Sequence, residues 1–412
     1  MAERIVITGM GAITPLGQNV QRSWENAVNG VSGVGPITQF DTADLLVHIA
    51  CEVKDFHPEV YMDPKEARRR DRYEQFAAVA AQQAIEQSGV ELNEENSSRV
   101  GVMISSAIGG LNATFDIFET MSQHGPRRIS PFSIPMLMSN GAASMVTIDY
   151  GLHGPSFSIA SACASGADAI GMASLFLKTG LIDIAIAGAS DATISRAGVA
   201  TFDRLGALSR RSENIYGTPQ PFDLQRDGLV MGEGAAVLVV EREDHARKRG
   251  AEILAELAGH ASTSDAFHIT APAEDGAGGA QAIRMALANA RVNPDEVGYI
   301  NAHGTGTELN DLSETYAIKA AFGELAYRIP VSSTKSMTGH MMGATGALEA
   351  IFCVQAVREG CLPPTINYHT PDPRCDLDYI PNQRREKKIA VAISNAFGFG
   401  GHNAVLVIRK FN

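Results

Sequence analysis

The residue best suited to act as a nucleophile is Cys163, in the run SIASACASGADAIG from Ser158 to Gly171. The apolar alternation of Phe157–Ala160 predicts the end of a buried strand, and Ala164–Leu177 predicts a helix of small and apolar residues. Cys163 therefore falls at the start of a helix, where free backbone N–H groups and the helix dipole favour thiolate over thiol. A core cysteine fits this stretch equally well, so the stretch alone leaves both interpretations open.

Two histidines lie in loops that resemble one another in composition. His303 is in NAHGTGT (301–307), directly after the predicted strand Val297–Ile300, and His340 is in STKSMTGHMMGATG (333–346). Glycine, serine and threonine surround both, so a ligand could approach either ring closely. Zinc is the competing use of one cysteine and two histidines, but the spacing is wrong and the motifs lack carboxylates. We therefore expect one catalytic site built from Cys163, His303 and His340, and no metal site.

Two further features would support such a site. Lys335 lies in a context rich in Ser, Thr and Gly that predicts burial, and a buried lysine needs a carboxylate partner. The nearest candidates by sequence are Asp311, Glu314 and Glu349. The last loop, NAFGFGGHN (395–403), is rich in glycine, and a backbone N–H from it could join that of Cys163 in binding a thioester oxyanion.

The elements that position these residues follow a repeat. Strand-like apolar runs alternate with alanine-rich helical runs, which predicts an α/β protein with buried sheets. The second half of the chain retraces the first. The matching pairs are Ile182–Ala192 with Lys388–Gly398, Ala236–Val240 with Ala404–Ile408, and the unit around Cys163 with Pro330–Ala350. Two such halves should pack as a pseudo-symmetric pair, with the site where equivalent loops converge.

Composition limits the function further. The 412 residues, 45% apolar and 19% charged, suit a large duplicated core. A net charge of −12 argues against nucleic-acid binding, and no apolar run reaches the ~18 residues that a membrane helix needs. The five cysteines are odd in number and scattered, which predicts a cytoplasmic protein without disulfides.

One basic cluster stands out against this acidic background. It comprises Lys65, Arg68, Arg69, Arg70 and Arg72. A solvated helix face fits this pattern, and so does a docking patch for an acidic partner. Residues 38–72 and 109–135 are predicted insertions that cover the site or meet a partner.

Taken together, the motifs resemble those of condensing enzymes of the thiolase fold, and most closely the β-ketoacyl-acyl-carrier-protein synthase II type. They are SACASG with Cys163, NAHGTGT with His303, STKSMTGH with Lys335 and His340, and the terminal GFGGHN. The resemblance covers essentially the whole chain. It implies a thiolase-like α/β fold in which two pseudo-symmetric βαβαβαββ halves, residues 1–250 and 251–412, form a five-layered αβαβα core.

The resemblance also implies an activity, that of an acyltransferase that elongates fatty acids by decarboxylative condensation. Cys163 would take an acyl chain from acyl carrier protein. His303 and His340 would stabilise the enolate formed when malonyl carrier protein loses carbon dioxide, and the carbanion would attack the acyl group on Cys163. Lys335, with Asp311, Glu314 and Glu349, would orient the histidines.

Binding roles are implied as well. Thr305, Thr307 and Thr270 would hold the phosphopantetheine arm, Phe399 would gate the acyl tunnel, and Ile108 and Phe202 would line it. Lys65, Arg68 and Arg69 would dock the acidic carrier protein. The resemblance implies a homodimer and no bound cofactor, since the substrate supplies the arm, together with a monovalent cation near Asn301 and Asn395 in some members of the family.

Two other functions fit part of the pattern. The HGTGT motif resembles that of the ketosynthase (alpha) subunit of type II polyketide systems. That subunit forms a heterodimer with a chain-length factor that lacks the cysteine. A non-catalytic subunit that binds acyl carrier protein is the third possibility. Cys163 itself argues against that third function.

Overall fold

The first half of the chain supplies one end of a large sheet and the helices that cover it. The computed structural model describes residues 3–411, so residues 1, 2 and 412 at the outer ends of the two predicted halves lie outside it. The strands are β1 (Ile5–Ile13), β2 (Gly35–Pro36), β3 (Ile49–Ala50), β4 (Val100–Ser105), β5 (Ile184–Asp191) and β6 (Gly234–Arg242). The helices are α1 (Val20–Val28), α2 (Pro64–Ala67), α3 (Arg72–Ser88), α4 (Leu111–His124), α5 (Ser133–Leu137), α6 (Gly141–Tyr150), α7 (Ser165–Lys178), α8 (Arg196–Arg204) and α9 (Glu243–Lys248).

The second half supplies the other end. Its strands are β7 (Ala255–Ser264), β8 (Val297–Asn301), β9 (Val331–Ser332), β10 (Cys361–Leu362), β11 (Arg385–Glu386), β12 (Val391–Gly398) and β13 (His402–Arg409). Its helices are α10 (Ala277–Ala290), α11 (Glu308–Phe322), α12 (Lys335–Thr338) and α13 (Ala344–Glu359). Short 3₁₀ helices occur at Pro58–Val60, Ser97–Arg99, Pro126–Arg128, Ala162–Ala164, Ile215–Gly217, Pro294–Glu296 and Gly323–Arg328.

The order of the strands displays the internal repeat. Within residues 3–411 the large sheet has nine strands in the order β4-β5-β6-β1-β7-β13-β12-β8-β9. Read outward from the centre, β1, β6, β5 and β4 correspond to β7, β13, β12 and β8. In both halves the outer pair is parallel and the next two pairs are antiparallel. The pairs of repeated segments in the sequence thus occupy equivalent places in the sheet. The division of the chain at residue 250 stays a prediction.

Five layers follow from how helices pack on this sheet. Helices α7 and α13 contact each other and strands of both halves, so they form the central layer. Helix α3 covers β1 and β6 on one outer side, and α10 covers β7 and β13 on the other. This confirms the predicted αβαβα core. Strand β6 is continuously apolar because both of its faces are buried. Its alternate residues pack into the hydrophobic cluster around the central helices and into the cluster under α3.

The central helices can approach closely because they are built of small residues. Ala167, Ala169, Ile170 and Ala173 of α7 are all fully buried, as expected for a helix surrounded by other layers. The Gly166 N–H donates to the carbonyl of Gly343 at 3.1 Å, so the beginnings of α7 and α13 are hydrogen-bonded to each other. A methyl group on Gly166 would lie 2.5 Å from that same oxygen.

One predicted strand is wrong. Residues 157–160 are not in a strand; Ser156, the residue before them, makes a single bridge to Val102 of β4. The segment stays beside β4, because the N–H of Phe157 donates to the Val102 carbonyl at 3.2 Å and that of Ile159 donates to Ser105 Oγ at 2.9 Å. The Phe157 ring packs against Phe176 of α7, with 5.4 Å between ring centroids. In the second half, the equivalent position holds the two-residue strand β9. Among the helices of residues 3–411, none has the length and apolar character needed to cross a bilayer.

Candidate active site

Cys163 lies in the single 3₁₀ turn Ala162–Ala164, immediately before α7. Ala162 has a φ of +50°, in the left-handed region that residues with a side chain seldom adopt. This bend faces the glycine-rich last loop, since a methyl group on Gly398 would lie 3.0 Å from the Cys163 nitrogen. The backbone N–H groups of Cys163 and Phe399 both act on the Cys163 sulfur. The two donors that the sequence suggested for an oxyanion are therefore adjacent.

His340 contacts the nucleophile directly. Its Nε2 lies 3.0 Å from Cys163 Sγ, and its Nδ1 lies 3.1 Å from Thr345 Oγ1 at the start of α13. The backbone of His340 is fixed on both sides, because its N–H donates to Val230 and its carbonyl accepts from Gly232, each at 2.8 Å. The ring is thus held against the sulfur by its own loop and by the neighbouring chain.

His303 reaches the same place from the loop after β8. Its N–H donates to Glu314 Oε1 at 2.8 Å, and the N–H of Gly304 donates to Oε2 at 2.7 Å, so one carboxylate clamps the loop. The His303 and His340 rings are nearly perpendicular, with centroids 5.4 Å apart. His303 Nδ1 has no hydrogen-bond partner among residues 3–411, so only the backbone of this residue is tethered.

Both histidines are neutral at physiological pH. Burial lowers the pKa of His303 and of His340 well below 6.5, and the positive charge of Lys335 lowers both pKa values further. A neutral imidazole can accept a proton at one ring nitrogen and donate from the other. The pair can therefore move a proton as well as donate hydrogen bonds.

The buried lysine has a single carboxylate partner. Lys335 Nζ donates to Glu349 Oε1 at 2.6 Å, and both side chains are 1% exposed. The pKa of Glu349 is raised to about 8 and that of Glu314 to about 7, because the effect of burial exceeds the opposing effect of the Lys335 charge on both carboxyl groups. Asp311 does not contact Lys335; its carboxylate accepts from the N–H groups of Phe222 and Gly306 and holds the 305–307 segment. Of the three carboxylates that the sequence suggested, Glu349 is therefore the partner.

Burial opposes the predicted Cys163 thiolate. Burial raises the pKa of the Cys163 thiol to about 12; Lys335 and the N–H groups of Phe399 and Cys163 only reduce that increase. The raised pKa favours the thiol, so activation falls to His340, whose Nε2 is within reach of the S–H proton.

The three side chains open onto one cavity of about 300 Å³. Of the predicted binding residues, Phe202, Thr270, Thr305, Thr307 and Phe399 line it. Thr305 Oγ1 and Thr307 Oγ1 lie 2.8 Å apart, so their hydroxyl groups form one polar patch on the wall. Ile108 does not line this cavity, because the turn after β4 leaves its side chain 39% exposed.

Comparison with known proteins decides the family. The family model described as "Beta-ketoacyl synthase, N-terminal domain" matches residues 2–246, and the one described as "Beta-ketoacyl synthase, C-terminal domain" matches residues 254–369. The chain belongs to the β-ketoacyl synthase family. It is thus a condensing enzyme with acyltransferase chemistry, as its motifs predicted.

Individual relatives of this β-ketoacyl synthase cover its whole length. It is 48% identical over 410 residues to a "3-oxoacyl-[acyl-carrier-protein] synthase 2" of Staphylococcus aureus (strain COL), covering 99% of each chain. A protein of the same name from Synechocystis sp. is 46% identical over 409 residues, covering 99% of this chain and 98% of that one. Among solved structures, a β-ketoacyl synthase from Burkholderia phymatum STM815 superposes with a TM-score of 0.92 and 36% identity over the full length of both chains. A type II polyketide ketosynthase, solved in complex with its acyl-carrier protein, gives 0.93 and 36% over the same coverage. These likenesses confirm the thiolase-like fold.

Sequence reasoning missed Asp191, at the end of β5. This carboxylate is fully buried, accepts from Ser106 Oγ at 2.6 Å, and is also held by the N–H groups of Gly343 and Ala344. It therefore ties the turn after β4 to the start of α13, next to His340. Burial raises the pKa of Asp191 to about 6. The signal available in the sequence was one acidic residue at the end of an apolar strand, IAIAGASD.

The basic cluster divides into two groups. Arg70 pairs with Asp149, and Arg72 pairs with the buried Glu233, so these two arginines hold the fold together. Lys65, Arg68 and Arg69 are exposed on and just after α2. The three residues that the sequence proposed for docking are the ones that face solvent.

Proposed function

We propose that this protein acts as a 3-oxoacyl-[acyl-carrier-protein] synthase II, which condenses malonyl carrier protein with an acyl chain held on Cys163. The observation that carries the proposal is the 3.0 Å contact between Cys163 Sγ and His340 Nε2, within a cavity that His303 also lines. The relatives that are 48% identical and bear this name support the choice of reaction.

In the first half-reaction Cys163 attacks the thioester carbonyl of an acyl carrier protein. A bond forms from that carbon to Cys163 Sγ, and the bond to the phosphopantetheine sulfur breaks. His340 Nε2 takes the thiol proton and returns it to the departing phosphopantetheine sulfur, which requires the neutral imidazole that burial maintains. The N–H groups of Cys163 and Phe399 bind the oxyanion.

In the second half-reaction malonyl carrier protein loses carbon dioxide. The electrons of the broken carbon–carbon bond move onto the thioester. The enolate oxygen accepts hydrogen bonds from His303 and from His340, which for this step is the neutral tautomer with its hydrogen on Nε2 while Nδ1 accepts from Thr345 Oγ1. The enolate carbon then attacks the acyl carbonyl on Cys163. The Cys163 sulfur leaves as a thiolate and takes a proton from solvent, and the product is a 3-oxoacyl carrier protein two carbons longer than the acyl chain.

The remaining side chains of the cavity serve binding. Thr305 and Thr307 present hydroxyl groups to the amide groups of the phosphopantetheine arm, and Thr270 lies on the same wall. Phe399 lies on the loop with Gly400 and Gly401, whose φ values of +85° and +72° favour glycine. A loop of this kind can move an aromatic side chain, which supports its role as the gate of the acyl tunnel, with Phe202 on the tunnel wall.

We propose that the carrier protein docks on Lys65, Arg68 and Arg69. Their exposure supports this, because an acidic partner can reach them from solvent. Reversing all three charges should raise the KM for carrier-bound substrate about tenfold and increase its sensitivity to salt. A pantetheine thioester should react as before, and reversal of Arg247 on α9 serves as the matched control. Equal losses on both substrates would contradict docking.

We propose that the enzyme is a homodimer in the cytoplasm. The segment at Ser156 lies at the edge of the sheet beside β4, where the N–H groups of Phe157 and Ile159 donate to β4, and its other side can pair with another chain. Ile134 and Ile148 are 64% and 72% exposed on α5 and α6. The five cysteines, all free in the described part of the chain, suit a reducing compartment. Light scattering should give twice the chain mass, and a monomer at micromolar concentration would contradict the dimer.

No cofactor is needed for these steps, since the phosphopantetheine arm arrives with the substrate. We propose that a monovalent cation is held beside Asn301 and Asn395. Support comes from buried oxygens without a hydrogen-bond partner among residues 3–411, namely Asn301 Oδ1, Ser394 Oγ, Asn395 Oδ1 and Glu349 Oε2. Oxygens of this kind suit an alkali-metal ion, which would order the ends of β8 and β12. Potassium should raise the melting temperature relative to tetramethylammonium, and Asn395→Ala should abolish that difference.

The direct test of function is the mass of the intact protein after incubation with acyl carrier protein. Cys163 should gain one acyl group, and malonyl carrier protein should then remove it as a two-carbon-longer product. A chain that binds carrier protein without a mass shift would be the non-catalytic subunit. Ketosynthases paired with chain-length factors, such as the ishigamide pair at 34% identity, favour the polyketide ketosynthase subunit as second candidate. That candidate requires activity only when a chain-length factor is added.

A further inference from the structure

Asp168 is a buried charge in a helix that otherwise holds small and apolar residues. It lies on α7, is 6% exposed, and comes five residues after Cys163. Its Oδ2 accepts from Ser161 Oγ at 2.6 Å, and its Oδ1 accepts from His260 Nε2 at 3.1 Å. A carboxylate only accepts hydrogen bonds, so Nε2 of His260 carries the hydrogen. A buried carboxylate with both oxygens satisfied calls for a reason beyond packing.

Its hydroxyl partner is the hinge of the nucleophile turn. The N–H of Ser161 donates to Ser165 Oγ at 3.0 Å, that hydroxyl donates to the carbonyl of Ala162 at 2.6 Å, and the N–H of Ala164 donates back to Ser161. These bonds enclose the left-handed Ala162, whose conformation persists only where the surroundings impose it. Among residues 3–411, the hydroxyl of Ser161 is the side-chain hydrogen bond that joins this turn to a carboxylate.

The far end of the chain of hydrogen bonds is anchored in the other half of the molecule. His260 belongs to β7, where it pairs in register with Leu406 of β13. Its ring fills the space beside Gly171 of α7, since a methyl group there would lie 2.2 Å from the ring. The hydrogen bonds from His260 to Asp168 and from Ser161 to Asp168 therefore connect the second half of the sheet to the residue two positions before Cys163.

We infer that Asp168 is a positioning residue for Cys163, acting through Ser161 and anchored by His260. It fixes the turn so that the Cys163 sulfur faces His340 while the Cys163 N–H points at the thioester oxygen. This inference rests on the proposed function, because it concerns the rate at which Cys163 is acylated.

The experiment measures single-turnover acylation of the full-length enzyme by acyl carrier protein, followed by intact mass. Asp168→Ala should lower the maximal rate of acylation about 10- to 100-fold, the effect of a displacement near 1 Å, with the half-saturating concentration unchanged. Asp168→Asn keeps an oxygen that can accept from Ser161 and should restore most of the rate. Ser161→Ala is a small change at the link itself and should slow acylation several-fold, again without an effect on half-saturation.

The chain offers a matched control in Glu241. This fully buried carboxylate also has a hydroxyl partner, Thr8, and a histidine partner, His245, but it lies at the other end of β6 from the site. Glu241→Ala should lower the melting temperature and leave the acylation rate of the folded fraction unchanged. An Asp168→Ala enzyme that acylates at the parental rate would overturn the inference. So would a Ser161→Ala enzyme with an unchanged rate, even if Asp168→Ala fails to fold. If the parental enzyme itself is not acylated, it is the proposed function that fails.

Discussion

The turns that precede α7 and α13 occupy equivalent positions in the two halves, yet they supply different catalytic groups. Each contains a left-handed residue that is not glycine, Ala162 with φ +50° and Met342 with φ +49°. The first turn carries the nucleophile Cys163, and the residues next to it in the chain are small, as in SACASG. The second carries His340 between α12 and α13, and the buried pair of Lys335 on α12 and Glu349 on α13 joins those two helices. A duplicated scaffold has thus placed a sulfur in one copy and a proton acceptor with its electrostatic support in the other.

The contrast explains how the sulfur can be protected and still reactive. The first turn alone gives a half-buried thiol whose pKa is raised to about 12 by desolvation. The second turn brings a neutral imidazole within 3.0 Å and the charge of Lys335 behind it. The reactivity of Cys163 therefore depends on the contact between the two halves. Substitutions in the first turn and in the second turn should have different effects on activity and stability.

The largest effect should come from the first turn. Cys163→Gln removes the only acylated atom, so condensation should fall at least about 1,000-fold. Malonyl decarboxylation should survive, because the second turn and His303 are intact. Carbon dioxide release measured beside acyl transfer checks both. Loss of both activities in a well-folded variant would contradict the division of labour between the turns.

The second turn should be more costly to stability. Lys335→Met leaves Glu349 buried without its partner, which typically costs about 3–5 kcal/mol. Lys178→Met on α7 is the matched control, since that lysine is exposed and the change should stay within about 0.5 kcal/mol. Urea unfolding measures both. The double variant Lys335→Met, Glu349→Gln should lose less than the two single losses combined.

The two histidine variants should differ in which reaction step they slow, because the two rings contact different groups. His303→Ala and His340→Ala should each slow decarboxylation about 100- to 1,000-fold, because each removes one donor to the enolate oxygen. The double variant should cost less than the sum, since both donors serve one oxygen. Of the two histidines it is His340 whose ring nitrogen lies 3.0 Å from Cys163 Sγ, so His340→Ala should also slow acylation strongly and His303→Ala should not. Parental decarboxylation in both variants, with acylation lost, would make the histidines bases for the sulfur alone.

Much of this arrangement could be predicted from the sequence. The predicted strand Val297–Ile300 is β8 without its last residue, and the predicted helix Ala164–Leu177 is α7 shifted by one residue, because clear apolar runs mark both elements. Cys163, His303 and His340 stand together as their motifs indicated. The strand at 157–160 could not be predicted correctly, because an apolar alternation does not reveal that the chain lies at the edge of the sheet.

Electrostatics were harder to predict than geometry. The rule that a helix start favours thiolate is local, whereas the desolvation that raises the Cys163 pKa depends on every layer around it. Asp191 and Asp168 escaped notice for a related reason. Each is a single acidic residue in an apolar run, and only the fold shows which N–H groups and hydroxyls it meets.

The raised thiol pKa makes a prediction for alkylation by iodoacetamide. In His340→Ala the rate at Cys163 should rise about tenfold per pH unit from about pH 7 to 10 without a plateau, because only the rare thiolate reacts. The parental enzyme should react about 100-fold faster at about pH 7 and with a shallower slope, since neutral His340 takes the proton. A plateau near pH 8.5 in His340→Ala would mean that the helix start outweighs burial.

The smallest effects should come from pushing the two turns apart. Gly166→Ala places a methyl group 2.5 Å from the carbonyl oxygen of Gly343 and 2.9 Å from the nitrogen of Ala347, both backbone atoms of the facing helix. Backbone cannot move aside as a side chain can, so α13 must shift and carry His340 with it. The cost should be about 1–3 kcal/mol of stability, accompanied by slower acylation.

Two other glycines give a graded comparison. Gly346→Ala places a methyl group 3.1 Å from the Ala167 nitrogen and should cost less than Gly166→Ala. Gly35→Ala is the control, because its nearest neighbour is the Lys54 amine at 3.7 Å. The three losses should rank in that order in both unfolding free energy and acylation rate. If Gly166→Ala lowered stability but left acylation unchanged, the spacing of the two helices would not set the distance between Cys163 and His340.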